Sequence, residues 1–233
     1  MIRVASYNIH KGIGTDRKLD PARICRALAQ LDADVVTLQE ADKRFGARQS
    51  VLPEKLLAEA GYEAAALHIR PGGMGWHGNA VLVRKGHQVR SARPLDLPTL
   101  EPRGAVLAEV EIDGQPLRVV GMHLDLSGLW RRRQVRCVIA HLDRCTEAMP
   151  TVLMGDLNQW SERGCLSEFT GHRHFRLLDT PKSFHSRRPV TRLDRIIASH
   201  ELQCDGCGTL DDVALRAGSD HLPVWADLKL HNR

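Results

Sequence analysis

Carboxylates, amides and histidines recur in this sequence at the ends of apolar runs. "VASYNIH" leads to Asn8 and His10, "DVVTLQE" to Gln39 and Glu40, and "RVVGMHLD" to His123 and Asp125. "TVLMGDLNQW" leads to Asp156 and Asn158, Asp194 opens the run "DRIIAS", and Asp220 and His221 stand just before "LPVWADL". Any one of these alone reads as a cap or turn, because Asp, Asn and Gly are ordinary turn residues. Gly155 reads the same way, as the point where the chain turns at the end of its strand. Five or six such ends, joined by amides and histidines, point instead to one shared site.

The chemistry that unites them is metal-assisted attack of water on phosphorus. A hard cation such as Mg²⁺, with Mn²⁺ as a substitute, takes a few carboxylate or amide oxygens and keeps waters for the substrate to displace. Asn8, Glu40 and Asp220 supply such oxygens. In-line hydrolysis also needs a group that activates water, a role open to Asp156 or His221. Charge building on the phosphoryl oxygens calls for preorganised donors, for which Asn158, His123 and Arg103 are suited. No cysteine is required, and soft-metal chemistry has no place here.

Strands and helices must deliver these groups. The apolar patterning predicts strands over 2–9, 34–40, 62–69, 78–84, 104–112, 116–124, 151–155, 193–198 and 222–230, and helices over 21–31, 53–60 and 130–145. Asp20-Pro21 provides an N-cap and a first-turn proline for the first helix. Val135, Val138, Ile139 and Leu142 follow helical spacing, so the third helix buries one face. Asp113-Gly114 between two strands is a hairpin signal. Hairpins mixed with strand–helix–strand stretches imply an α/β fold with a mixed sheet, or two packed sheets with helices outside.

The composition is consistent with this. A chain of 233 residues, 42% hydrophobic and without repeat or linker, reads as one domain spanning 1–233. Lys and Arg exceed Asp and Glu by 33 to 28, giving a net charge of +5. That balance suits an anionic substrate and is too mild to demand nucleic acid. "CDGC" (Cys204 to Cys207) is the closest cysteine pair; without a second Cys or His pair it reads as two unlinked thiols near a turn. "MIRVASYNIH" opens directly as a strand, and no apolar run is long enough to span a membrane. The expectation is a cytoplasmic protein in a reducing compartment.

"SYNIH", "TLQE", "HGNAVLVR", "RGAVLAEV", "GMHLD", "GDLN", "RLDRI" and "SDHLPV" occur in an order that resembles the endonuclease/exonuclease/phosphatase superfamily, with its deoxyribonuclease I-like fold. The similarity spans essentially the whole chain, and "NIHKG", "HGNAVL" and "LDRI" resemble a compact bacterial subgroup. It implies a four-layer sandwich, two mixed β-sheets face to face with helices outside. It also implies roles. Glu40 is the principal metal ligand, with Asn8 and Asp220 close by. Asp156 orients or deprotonates water, Asn158 binds a phosphate oxygen, and His221, oriented by Asp194, is the other acid–base element. His123 matches a histidine that steadies the phosphoryl group, which argues against the apurinic-site endonuclease branch.

Other residues carry weaker signals. Arg103 in "EPRGAV" is placed to clamp phosphate. Arg131 and Gln134 share a helix face, and a tie to the preceding loop is the favoured role. Trp76 and Trp160 either line the pocket mouth or pack against its rim. His77 and Asn79 precede a strand near the site, and Asn79 is included among the substrate contacts; His10 hydrogen-bonds within its loop. The leading function is a Mg²⁺-dependent phosphodiesterase acting on a phosphoester substrate. The alternatives are a nuclease on DNA or RNA, or a phosphate-binding module without turnover; a plain structural or interaction protein would leave clustered carboxylates without a cation to offset them. No stable membrane anchor and no obligate protein partner is evident.

Overall fold

Two strand–helix–strand units lie at the centre of the molecule. In the first, β1 (Ile2–Asn8) runs through α1 (Pro21–Leu31) into β2 (Val35–Gln39), parallel to β1. In the order of the chain there follow α2 (Glu54–Glu59), β3 (Tyr62–Ala64), β4 (Ala80–Arg84), β5 (Gln88–Leu95) and β6 (Gly104–Ile112). The second unit is β7 (Gln115–His123), α3 (Gly128–Asp143) and β8 (Thr151–Asp156), again a parallel pair. The remaining elements are α4 (Leu166–Gly171), β9 (Phe175–Leu177), β10 (Asp194–Ser199), β11 (Leu202–Thr209) and β12 (Val224–Leu230). This computed structural model describes all residues except 44, 45, 47, 70, 71, 162, 173, 211, 213–215, 232 and 233.

The strands form two six-stranded mixed sheets, ordered β11-β12-β1-β2-β4-β3 and β5-β6-β7-β8-β10-β9. Every pairing other than β1–β2 and β7–β8 is antiparallel. Side-chain alternation makes the layers. Val4, Val35, Val119 and Val152 point between the sheets into a shared core. Their neighbours Ala5 and Val36 pack outward with Ile24 and Leu28 of α1, while Val120 and Leu153 pack outward with Val135 and Val138 of α3. Three cores therefore separate four layers, the α/β sandwich expected. Both faces of the parallel strands are covered, which is why they read as continuous apolar runs.

Local signals set the ends. Asp20 caps α1 by accepting from the Arg23 amide at 3.1 Å, with Pro21 in the first turn. Asp113 and Gly114 both take positive φ (49° and 77°), joining β6 to β7 as a tight hairpin. The helix read over 130–145 begins earlier, at Gly128, because Ser127 lies in extended conformation just before it.

Three expectations are corrected. Gly155 is not a turn at the end of its strand but lies within β8. A Cβ there would fall 1.8 Å from the Met122 carbonyl oxygen, so glycine serves the close approach of β8 to β7. The strand read over 62–69 ends at Ala64. Cys204 and Cys207 lie not at a turn but in β11, on either side of a bulge in its pairing with β12; both are free thiols.

Candidate active site

The two parallel pairs end side by side, and their C-terminal ends carry the site. β1 delivers Asn8 and β2 is followed by Glu40; β7 ends on His123, which lies directly beside Asp156 at the end of β8. Asp194 opens β10 opposite Asp156 in the antiparallel register. Contacts join the sheets at this point. The Asn8 amide donates to Asp156 Oδ2 at 3.0 Å across 148 residues of sequence.

Asp156 is the hub. Its Oδ1 accepts the Asn158 backbone N–H at 2.9 Å, the ordinary Asx turn. Its Oδ2 takes the Asn8 amide and lies 3.3 Å from His123 Nε2 and 3.7 Å from His221 Nε2. The stretch "GDLN" is thus both a turn and part of a constellation. A buried carboxylate without partners costs several kcal/mol or neutralises itself. Burial pushes the Asp156 pKa upward, but His221, His123 and the Asn158 amide outweigh it and hold the group well below the usual carboxylate range.

Behind His221 stands a second buried carboxylate. His221 Nδ1 is 2.8 Å from Asp194 Oδ2, which also accepts from Ser183 Oγ at 2.5 Å; Asp194 Oδ1 is buried without a hydrogen-bond partner among the described residues. His221 is therefore pinned by its Nδ1, with Nε2 turned to Asp156. Burial alone would lower the His221 pKa; the Asp194 and Asp156 carboxylates overcome it and push it up to about 10. Ser219 completes the support, its hydroxyl donating to the Asn8 carbonyl at 2.7 Å and accepting from the His221 amide at 3.2 Å.

The other arm is more open. Glu40 sits in left-handed conformation (φ 55°) immediately after β2, and Lys11 Nζ lies 2.5 Å from its Oε2. Burial would raise the Glu40 pKa, but His123, Lys11 and His10 lower it, so the carboxylate is held ionised. Asp220 lies on the same side, 3.9 Å from His10 Nδ1, while that nitrogen bonds the Ile13 carbonyl at 2.9 Å as the loop role predicts. Arg103 places Nη1 against His123, 2.7 Å from Nδ1. Glu40, Asn158, His10 and Lys11 all take positive φ, a conformation that is costly for such residues and concentrates at functional sites.

The residues fit a cation. Glu40 is an ionised oxygen donor in a cleft, and its present partner is the Lys11 ammonium, a positive charge where a metal would sit. Asn8 Oδ1 accepts the His10 amide at 3.1 Å and keeps a second lone pair. A separate buried group, Asp156, Asp194 and His221, brings one ligand atom from each within 4.8 Å of the others. Within that group Asp194 and His221 already hydrogen-bond each other at 2.8 Å.

The structure thus brings together Asn8, Glu40, His123, Asp156, Asp194, Asp220 and His221, with Arg103 and Asn158 at the edge. Asn158 Nδ2 donates to the Leu124 carbonyl at 2.9 Å and has a second proton to offer. Asn79 is engaged locally: its amide donates to the carbonyls of Trp76 and His77, and its buried Oδ1 has no hydrogen-bond partner among the described residues. Trp76 packs against Gly104 and His77, whereas Trp160 is 66% exposed and meets Phe184 edge-on at 6.4 Å. Asp125 leaves the site to bond the Ser127 and Leu100 amides. Arg131 and Gln134 tie α3 to that loop, through the carbonyls of Asp125 and Leu126 and the Asp125 amide.

Sequence reasoning missed Lys11, Ser183 and Phe184. Lys11 was visible in "NIHKG" beside Asn8 but carried no assigned role. Phe184 packs on the His221 ring with centroids 4.9 Å apart, and no spacing in "SFHS" announces it.

A sandwich of two mixed sheets whose parallel strands deliver two carboxylates, an amide and a histidine to one end, beside the Asp194–His221 pair, defines a phosphoester-cleaving class of protein. The endonuclease/exonuclease/phosphatase family model matches residues 5–221, and the chain belongs to that family. Its members include phosphoesterases and nucleases. Similar solved structures include a mannosyl-6-phosphatase of Bacteroides thetaiotaomicron (18% identity, 99% of this chain and 100% of that one, TM-score 0.77). The human nocturnin catalytic domain with bound sulfate is similar at 18% identity, covering 99% and 94% (TM-score 0.73). D. rerio TDP2 complexed with single-strand DNA product is similar at 18%, covering 98% of each chain (TM-score 0.71). At these identities the likeness is one of fold. No curated protein sequence matches. Among the described residues no helix is long and apolar enough to cross a membrane.

Proposed function

We propose that this chain, acting as one domain over 1–233, is a Mg²⁺-dependent phosphodiesterase that directs water onto phosphorus, with Mn²⁺ able to replace Mg²⁺. The observation that carries this reading is Asp156, buried and ionised between His123, His221 and Asn8, with His221 backed by Asp194. Glu40, with Asn8 and Asp220 near it, would hold the cation, which supplies Lewis-acid stabilisation of the phosphoryl oxygens.

The remaining work falls to the protein. Asp156 accepts a hydrogen bond from the attacking water and aligns its lone pair with phosphorus. A carboxylate held so far below its usual range is a weak base, so its main role is to orient. His221, as an imidazolium between two carboxylates, donates through Nε2 to a phosphoryl oxygen, and Asp194 stabilises the charged ring. His123, Arg103 and the second Asn158 amide proton add donors where negative charge accumulates. Trp160, exposed beside Phe184, is placed to meet the group esterified to the phosphate.

The relatives named above differ in what they handle: one is a mannosyl-6-phosphatase and another is complexed with a single-strand DNA product. A nuclease is therefore the second reading, favoured by the exposed Trp160, on which a base can stack. The test is hydrolysis of bis(p-nitrophenyl) phosphate with Mg²⁺, Mn²⁺ or excess chelator. Turnover that vanishes with chelator and returns with either ion supports the reading. Absence of turnover on this and on a panel of nucleotides, oligonucleotides, phospholipids and inositol phosphates would leave a binding module.

A further inference from the structure

Beyond Glu40 the cleft continues along a wall that the reaction outlined above does not use. After β2 the backbone at 41–43 pairs with that at 49–51, with Val51 N–H bonding the Ala41 carbonyl at 2.9 Å and Lys43 N–H bonding the Gln49 carbonyl at 2.9 Å. Arg48 immediately precedes the second of these segments. The 76–79 turn lies against it, fixed to the same backbone by Ala41 N–H to the Gly78 carbonyl at 2.9 Å. A Cβ on Gly78 would lie 3.3 Å from Glu40 Cα, so the turn that presents His77 sits directly on the Glu40 segment. His77 is buttressed by the Trp76 ring, centroids 4.4 Å apart, and Trp76 in turn is wedged against Gly104, next to Arg103.

Arg48 Nη1 lies 2.5 Å from His77 Nδ1, and both residues line one cleft with Glu40, Lys11, Arg103 and His123. A guanidinium does not give up its proton, so His77 accepts through Nδ1 and carries its own proton on Nε2. Both residues take positive φ, 47° at Arg48 and 48° at His77, so the backbone bears a cost on each side of the pair. Among the described residues, Lys11, Arg48 and Arg103 face Glu40 and Asp42 on this wall, and Glu101 lies 3.5 Å from Arg103, so the fixed charges balance before any cation binds Glu40. Arg48 offers a planar fork, the geometry that suits a phosphate oxygen pair.

We infer that Arg48 and His77 form a second anion subsite beside the reaction centre, and that the preferred substrate is a phosphoester carrying an additional phosphate. This rests on the phosphodiesterase reading for where the reacting phosphorus lies. The second phosphate comes either from a flanking diester of a nucleotide chain or from a terminal monoester of a small molecule. The chemistry at the subsite is the same for both.

The test pairs thymidine 5′-(p-nitrophenyl phosphate) with the same compound bearing a 3′-phosphate. The parent protein is expected to show a KM about tenfold lower for the 3′-phosphorylated compound, the effect of one charge-assisted contact of roughly 1.4 kcal/mol. Arg48→Ala abolishes that preference while leaving kcat and KM for the other compound within about twofold. His77→Gln reduces it, and Arg48→Lys restores part of it. A parent protein that treats both compounds alike, or an Arg48→Ala variant equally impaired on both, overturns the subsite. Calorimetric binding of thymidine 3′,5′-bisphosphate against thymidine 5′-phosphate, run in chelator, answers the question without turnover. Tighter binding of the bisphosphate that Arg48→Ala removes supports the subsite even if no ester is cleaved; equal binding overturns it. A dinucleotide set against the nucleoside bisphosphate then separates a flanking diester from a terminal monoester.

Discussion

The two sheets present the same local architecture to the site and do different work with it. Each has a parallel pair at its centre joined by a helix, β1-α1-β2 in one and β7-α3-β8 in the other, and each pair points its C-terminal ends at the cleft. From the second unit come His123 and Asp156, both almost wholly buried and hydrogen-bonded among themselves and to Asn8. From the first come Asn8, buried against Asp156, and Glu40, only partly covered and held by a lysine. Burial makes the Asp156 side a rigid, preorganised field in which each missing partner is expensive. Partial exposure leaves the Glu40 side exchangeable, as the proposed place for an ion and a changing substrate requires.

Breaking the buried side should produce the largest effect. Asp156→Asn removes the charge that His123 and His221 face, and is expected to lower kcat on a chromogenic phosphodiester by roughly three orders of magnitude, within the range for lost acid–base and electrostatic help. Circular dichroism should report an intact fold; a variant with near-parent kcat would remove Asp156 from the chemistry.

Asp194→Asn comes next. It keeps the shape behind His221 but weakens its anchor, and a loss of about a hundredfold or more in kcat is expected. His221→Ala should cost at least as much, and the double variant little more, because residues acting as a unit are not additive. Strictly multiplicative losses would show that the 2.8 Å contact is structural only.

On the open side, Glu40→Gln should act through the ion. Titration with Mg²⁺ or Mn²⁺ is expected to show affinity reduced by about 10- to 100-fold, a magnitude seen even for outer partners of metal ligands, with activity partly recovered at high metal. An unchanged metal dependence would move the cation away from Glu40. The smallest effect belongs to Trp160→Ala, a rise in KM of a fewfold at constant kcat, since an exposed ring offers binding to ground and transition state alike.

Legibility followed burial. The central strands were visible because both faces are apolar, and β6 and α1 match the residues read for them, 104–112 and 21–31. The four edge strands are β11, β3, β5 and β9. Three of these left no readable pattern and the fourth was drawn too long. β5 is half exposed and contains Pro94, β11 is interrupted by Gly206 and Gly208, and β9 has three residues. An edge strand owes its pairing to a neighbour rather than to its own alternation.

The same division holds in the site. Residue types and their strand-end positions in the chain by themselves determined which groups gather at one end of the sandwich, because a carboxylate or amide following an apolar run must emerge where that strand leaves the core. Only the tertiary structure decided their relations. It set Asn8 against Asp156, put Phe184 on His221, assigned Lys11 to Glu40 and spent Asn79 on its own turn. Those contacts span as many as 148 residues of sequence. They depend on how two sheets pack face to face, and no local spacing encodes that distance.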